Sequence, residues 1–197
     1  PAYPVITMDE IVKQAMAKWP NVPASYGWLG LDARGNWWLR DTEAQAYGAF
    51  ASGIDGAKGR LVDHAKLAEF INRNYLADAN GRWYFQNGPQ QVFVELEATP
   101  WIWRAQWTPS EGGGSLQIHS HTGVVLACSD VLQVLLDDAG RVYLLAAQGV
   151  GLVHTQDVPD IAQALEQGAL PEADEVSVAE IERRYYFVSC PRALVER

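Results

Sequence analysis

Two histidines one residue apart, His119 and His121, form the one spacing in this chain that suits a metal ion. Residues i and i+2 of a strand share a face, so both imidazoles could meet one ion. His154 or Asp130 would have to supply a third ligand through folding. The chemistry would be that of a metal-dependent hydrolase. The plainer expectation is two polar positions on an exposed strand beside the Gly112–Gly114 loop, and it is preferred because a three-ligand site needs partners that spacing does not locate. Glu95 and Glu97 also share a strand face, about 7 Å apart, and like charges so placed raise one pKa. The expected setting is the solvated face of an edge strand. A third group is aromatic: Trp37, Trp38, Trp83, Tyr84, Trp101 and Trp103, from a chain with 8 Trp and 8 Tyr. Neighbours on a strand point to opposite faces, so one member of Trp37-Trp38 and of Trp83-Tyr84 needs a second home. That home could be a core, an interface or an aromatic ligand pocket, and these six are the candidate ligand-binding residues. No nucleophile elbow, phosphate loop, HExxH or dinucleotide fingerprint occurs.

These residues depend on short elements. Thr7-Met-Asp-Glu10 has capping-box spacing, and Ile11, Val12, Ala15, Met16 and Trp19 follow at helical period, so a helix is predicted over 8–18, stopped by Pro20. Trp28–Arg40 reads as a hairpin around Asp32-Ala-Arg-Gly35. Thr42-Glu-Ala-Gln45 suggests a short helix, and Gly48, Gly53, Gly56 and Gly59 suggest a loop after it. Leu61–Tyr75 carries the strongest helical stripe. Hairpins are expected over 78–97, then a strand with Trp101, Trp103 and Trp107 on one face, a Gly-rich turn, and strands over 116–121 and 123–129. Another hairpin is expected over 134–145, a helix over 157–167 with Pro159 in its first turn, an acidic linker over 170–175, a last helix over 177–187 and a frayed tail from Arg192.

The pattern Asp-x-x-Gly-[Asn/Arg]-[Trp/Val]-[Trp/Tyr]-[Leu/Phe] occurs at Asp32, Asp78 and Asp137. The separations of 46 and 59 residues are unequal, which excludes a solenoid and suggests two related modules. Gly59-Arg60-Leu61-Val62, Asp78–Phe85, Gly88-Pro89, Val94-Glu95 and Thr99-Pro100-Trp101, taken in order, resemble an uncharacterised proteobacterial family, domain of unknown function 1285. The likeness covers about residues 28–145, and Leu96-Glu97-Ala98 departs from that family's shorter path to its proline. It implies a remote relative or sister family with a two-module fold of repeated hairpin and helix motifs. It also implies small-molecule sensing or signalling, and it offers no catalytic residues to carry over.

The 197 residues are 48% hydrophobic and 20% charged, as expected of a soluble globular chain. Net charge is -9 with no basic stripe, so nucleic acid and anionic membranes are not expected partners. No apolar run approaches the ~18 residues of a membrane span, and no basic-then-apolar leader opens the chain, so a cytoplasmic location is expected. Cys128 and Cys190 have no finger or CxxC spacing and are expected to be reduced, buried thiols. The expected fold class is α+β, two small modules of antiparallel hairpin plus helix, over residues 1–105 and 106–197. The expected function is a non-catalytic module, without a cofactor, that binds a small molecule or a protein. The alternatives are the His119/His121 hydrolase and an oligomeric scaffold.

Overall fold

The computed structural model describes residues 8–195. Contacts divide the chain into two compact units. The first comprises 8–32, Asn36–Ala98 and 186–195; the second comprises Thr99–Tyr185, with Ala33–Gly35 grouped with it. The division falls at Ala98/Thr99 and not at 105, because one continuous strand runs from Trp101 to Ser110. The last residues return to the first unit instead of staying with the second. Among the described residues no helix is long and apolar enough to cross a membrane.

In the first unit, α1 (Glu10–Lys18) precedes β1 (Ser25–Leu31) and β2 (Trp37–Leu39). Then come α2 (Thr42–Tyr47), β3 (Arg60–Leu61), α3 (Ala65–Arg73), β4 (Tyr75–Ala77), β5 (Trp83–Asn87) and β6 (Gln90–Leu96). The sheet order is β3-β2-β1-β6-β5-β4, antiparallel except where β1 runs parallel to β6. Local signals shift several boundaries. Asp41, not Thr42, caps α2 by accepting the Ala44 N–H. Arg60 and Leu61 pair with β2, so α3 begins later than its stripe, with His64 as N-cap. Thr7 lies outside the described residues, and Asp9 occupies the N-cap position of α1.

The second unit holds β7 (Trp101–Ser110), β8 (Gly113–Ser120), β9 (Val125–Leu126), β10 (Gln133–Asp137), β11 (Val142–Ala146) and β12 (Gly149–Val153). They are followed by α4 (Val158–Glu166), β13 (Ala173–Val176) and α5 (Val178–Arg184). Its sheet order is β13-β10-β11-β12-β7-β8-β9. Without β13 this repeats the first sheet strand for strand: two antiparallel meanders joined by one parallel contact, β1 with β6 there and β7 with β12 here. The expected acidic linker contains β13, which pairs parallel with β10. Its sequence, Ala-Asp-Glu-Val, carries too few apolar residues to show a period. The expected strand over 123–129 shrinks to β9 followed by a 3-10 turn at Cys128–Asp130.

The Asp-x-x-Gly repeat has one physical job in three hairpins. The N–H of each Asp donates to the carbonyl four residues on, and its Oδ1 accepts the N–H of that same residue, at 2.9, 2.9 and 2.8 Å for Asp32, Asp78 and Asp137. Oδ2 takes the side chain at that position: Asn36 at 3.1 Å, Arg82 at 2.7 Å and Arg141 at 2.8 Å. The glycines stand at φ 87°, 74° and 76°, where a side chain is strained. Each loop is a turn closed by a left-handed glycine, a common hairpin geometry.

Candidate functional site

On one face of the first sheet, alternate residues Leu29, Phe85 and Val92 lie beneath α3. Helical spacing turns Leu67 and Ile71 of α3 toward them. At its C-terminal end α3 is pinned, with Asn72 Oδ1 accepting the Trp37 indole N–H at 2.7 Å and Asn74 accepting the Asp9 N–H at 3.0 Å. Phe70 meets Phe85 edge-on at 5.5 Å. Between helix and sheet the side chains leave a groove of about 440 Å³. Trp28, 46% exposed, and Leu39, 39% exposed, stand at its mouth, and Ser25, Asn87 and Gln90 form a polar rim. Trp28 is exposed beside buried Leu29, and Gly27 before it stands at φ 82°, where the pairing of β1 with β6 is irregular between Ser25 and Leu29. No residue lining this groove is titratable. A second cavity of about 520 Å³ also uses Leu39, and its walls carry Asp41, Glu43, Tyr47 and Arg60.

The six aromatic candidates fall into separate clusters, and none lines the groove. Trp37 and Trp83 flank buried Tyr75, at 5.1 and 4.8 Å between ring centroids. Trp38 points to the other face, where its indole donates to Asp32 Oδ2 at 2.9 Å and the Lys58 ammonium lies 5.8 Å from its ring. Tyr84 packs on Phe93, which stacks on Tyr26 at 4.8 Å and carries the Arg82 guanidinium at 4.6 Å. Trp101 and Trp103 stack at 5.9 Å in the core of the second unit, with indole N–H groups donating to the carbonyls of Gln148 and Leu144.

His119 is exposed on β8, while His121 follows the strand and its Nδ1 accepts the Ile102 N–H at 3.3 Å. The potential third ligands serve local roles: His154 Nδ1 accepts the Gln156 N–H and Asp130 accepts the Ala127 N–H. Among the described residues no three His, Cys, Asp or Glu side chains are grouped to hold a metal ion.

Glu95 overturns the expectation of an outward carboxylate. It is 3% exposed, because β6 lies inside the sheet between β1 and β5 and is covered on both faces. Burial raises its pKa, an effect offset only in part by the Cys190 thiol, the Arg192 N–H and the charge of Arg40. Arg40, 2% exposed, donates to the carbonyls of Ala57, Gly27 and Gly48 and so holds the glycine-rich loop after α2. Burial and the Glu95 carboxylate push the Cys190 thiol up to about 11, so it is no ready nucleophile at neutral pH. Glu97 pairs with Lys58 at 2.7 Å. Alternation could not find Trp28, Leu39 or Arg40.

Fold and hairpins define an α+β protein of two modules built on one strand plan. The chain belongs to the family DUF2944, described as "Protein of unknown function (DUF2946)", whose model matches residues 8–192. No curated protein matches it. Similar solved structures include a DUF1285 family protein from Shewanella baltica OS155, with 16% identity over 73% of this chain and 97% of that one and a TM-score of 0.47. Another is a DUF1285 family protein from Silicibacter pomeroyi DSS-3, with 12% identity over 81% of this chain and 78% of that one and a TM-score of 0.48. DUF1285 is the family that the hairpin pattern resembles.

Proposed function

We propose that the protein is a non-catalytic binding module that takes an uncharged, largely apolar small molecule in the groove between α3 and the first sheet. The observation that carries this reading is a groove of about 440 Å³ with an apolar floor, a half-exposed Trp28 at its mouth and no titratable group in its walls. That size and lining suit a small ligand held by burial and oriented by a few polar rim groups. Ser25, Asn87 and Gln90 supply the rim. Sensing follows if occupancy alters how α3 rests on the sheet.

The test is a titration of the labelled protein with uncharged aromatic and aliphatic fragments, followed by amide and indole NMR shifts. The reading expects saturable shifts at the Trp28 indole, Leu67, Ile71 and Gln90, abolished by the groove-filling Leu67→Trp. Fragments that leave these signals unmoved, or that bind Leu67→Trp equally well, would refute it.

A further inference from the structure

The ladder between β5 and β6 runs from Asn87↔Gln90 to Tyr84↔Phe93 and stops there. Beyond it, the loop end at Gly81–Arg82 and the last residues of β6 are bridged by the chain's own C-terminal segment. Val188 forms a parallel bridge with Arg82 and donates its N–H to the Gly81 carbonyl at 2.9 Å, while Leu96 donates to the Ser189 carbonyl at 2.8 Å. The segment thus acts as an added piece of strand, a recognised mode of peptide docking. Side chains complete the seat. Phe187 and Pro191 are buried, the Arg192 N–H donates to Glu95 Oε1 at 3.1 Å, and its guanidinium donates to Gln45 at 2.8 Å.

The receiving face is shaped for this occupant. A Cβ on Gly81 would stand 2.5 Å from the Tyr186 carbonyl oxygen. Glu95, the one carboxylate of β6 inside the seat, is otherwise costly to bury there. The segment is held without a covalent link, and it is the part of the first unit that follows the whole second unit in the chain. Its root, Tyr186, has φ 54°, alone among the described non-glycine residues in taking a positive value. A strained root next to a segment docked by reversible bonds favours exchange between identical chains.

We propose that this seat is a peptide-docking site whose resident occupant is residues 186–194, and that the same segment of a second copy of this chain can replace it to give an exchanged dimer. The recognised chemistry is an extended peptide with an aromatic anchor, one β-type backbone bridge and a Pro-Arg pair.

The experiment uses the full chain and a fluorescent peptide of residues 186–197. Anisotropy should show saturable binding, at least tenfold tighter to the full chain carrying Phe187→Ala and Arg192→Ala, because weakening the resident segment raises the fraction of open seats. A peptide N-methylated at Val188, which cannot donate to Gly81, should bind at least tenfold more weakly. Light scattering should show a dimer after concentrated refolding of the unaltered chain. Hydrogen exchange on that same chain guards against a misfolded variant, since the Val188 and Leu96 amides should exchange faster than Val94. The docking site falls if the peptide binds neither chain, if the N-methyl peptide binds equally well, or if Val188 exchanges only with global unfolding. Exchange between copies falls if the refolded protein is strictly monomeric.

Discussion

Asp137 illustrates what a single residue does here. Its side chain is fully buried and accepts the N–H groups of Ala139 and Arg141, the Arg141 guanidinium and the Tyr143 hydroxyl at 2.8 Å. Burial alone would raise its pKa, but these donors outweigh that and hold it below the ordinary 3.8. Asp137→Ala strands several donors at once and should cost on the order of 3 kcal/mol, read from urea unfolding midpoints. Cys190 gives a second prediction at this scale. Its thiol, raised to about 11, is scarcely ionised at pH 8, so iodoacetamide should label Cys128 well before Cys190 in native protein, as peptide mapping would report. Equal labelling rates would contradict the placement of Cys190 against Glu95. The repeated Asp was legible in the sequence, because a turn's chemistry is local. The burial of Glu95 was not, because it depends on which strands flank β6.

At the scale of elements, β7 shows how a strand is finished by what lies beside it. Only Trp101–Trp103 pair with β12, and beyond that point the edge is met by side chains of the following helix. The Ala105 N–H donates to Asp157 at 3.0 Å and the Trp107 N–H to Asp160 at 2.6 Å, so the acidic start of α4 blunts an edge open to aggregation. The Asp157 carboxylate also pairs with Arg104 at 2.5 Å. Gly151 of β12 lies under the stacked Trp101 and Trp103, and a Cβ there would come within 2.3 Å of the Trp103 indole. Trp103→Ala should therefore cost about 3–5 kcal/mol through the cavity left behind, measured by thermal unfolding. Gly151→Val should be comparably damaging through overlap, and a change below about 1 kcal/mol in either would show that these indoles are not packed as described. The three Trp on alternate positions announced β7. Nothing in Ala173–Val176 announced β13, whose strand character comes from pairing with β10.

At the scale of the molecule, charge sets the response to acid. Asp9, Asp78, Asp137 and Asp157 all sit below the ordinary carboxylate range. For Asp78, Asp137 and Asp157, hydrogen bonds outweigh the burial that would raise them. A carboxyl group depressed in the native state stabilises above its unfolded pKa, and the contribution is lost as pH falls toward the native value. Glu95, raised by burial, has the opposite sign: its contribution is present below the ordinary 4.5 and fades as pH rises through its native value. Melting temperature should thus fall steeply below about pH 4. Asp137→Asn should shrink that fall, and an unchanged acid limb in this variant would exclude Asp137 as a contributor.

Sequence alone determined the α+β class, the three Asp-x-x-Gly hairpins, the amphipathic face of α3 and the likeness to a family of unknown function. Each of these rests on short-range rules: turn chemistry, helical period and strand alternation. Tertiary structure alone decided that both sheets share one strand plan and that the six aromatics separate into distinct clusters. It also decided that Trp28 and Leu39 open a groove and that the chain's end closes a gap beside β6. Those outcomes depend on which strands become neighbours across many tens of residues, and no local propensity encodes that choice. His119 and His121 illustrate the difference. Their spacing is two residues in the chain, yet His119 is exposed on β8 while His121, just past the strand's end, is partly buried and accepts the Ile102 N–H.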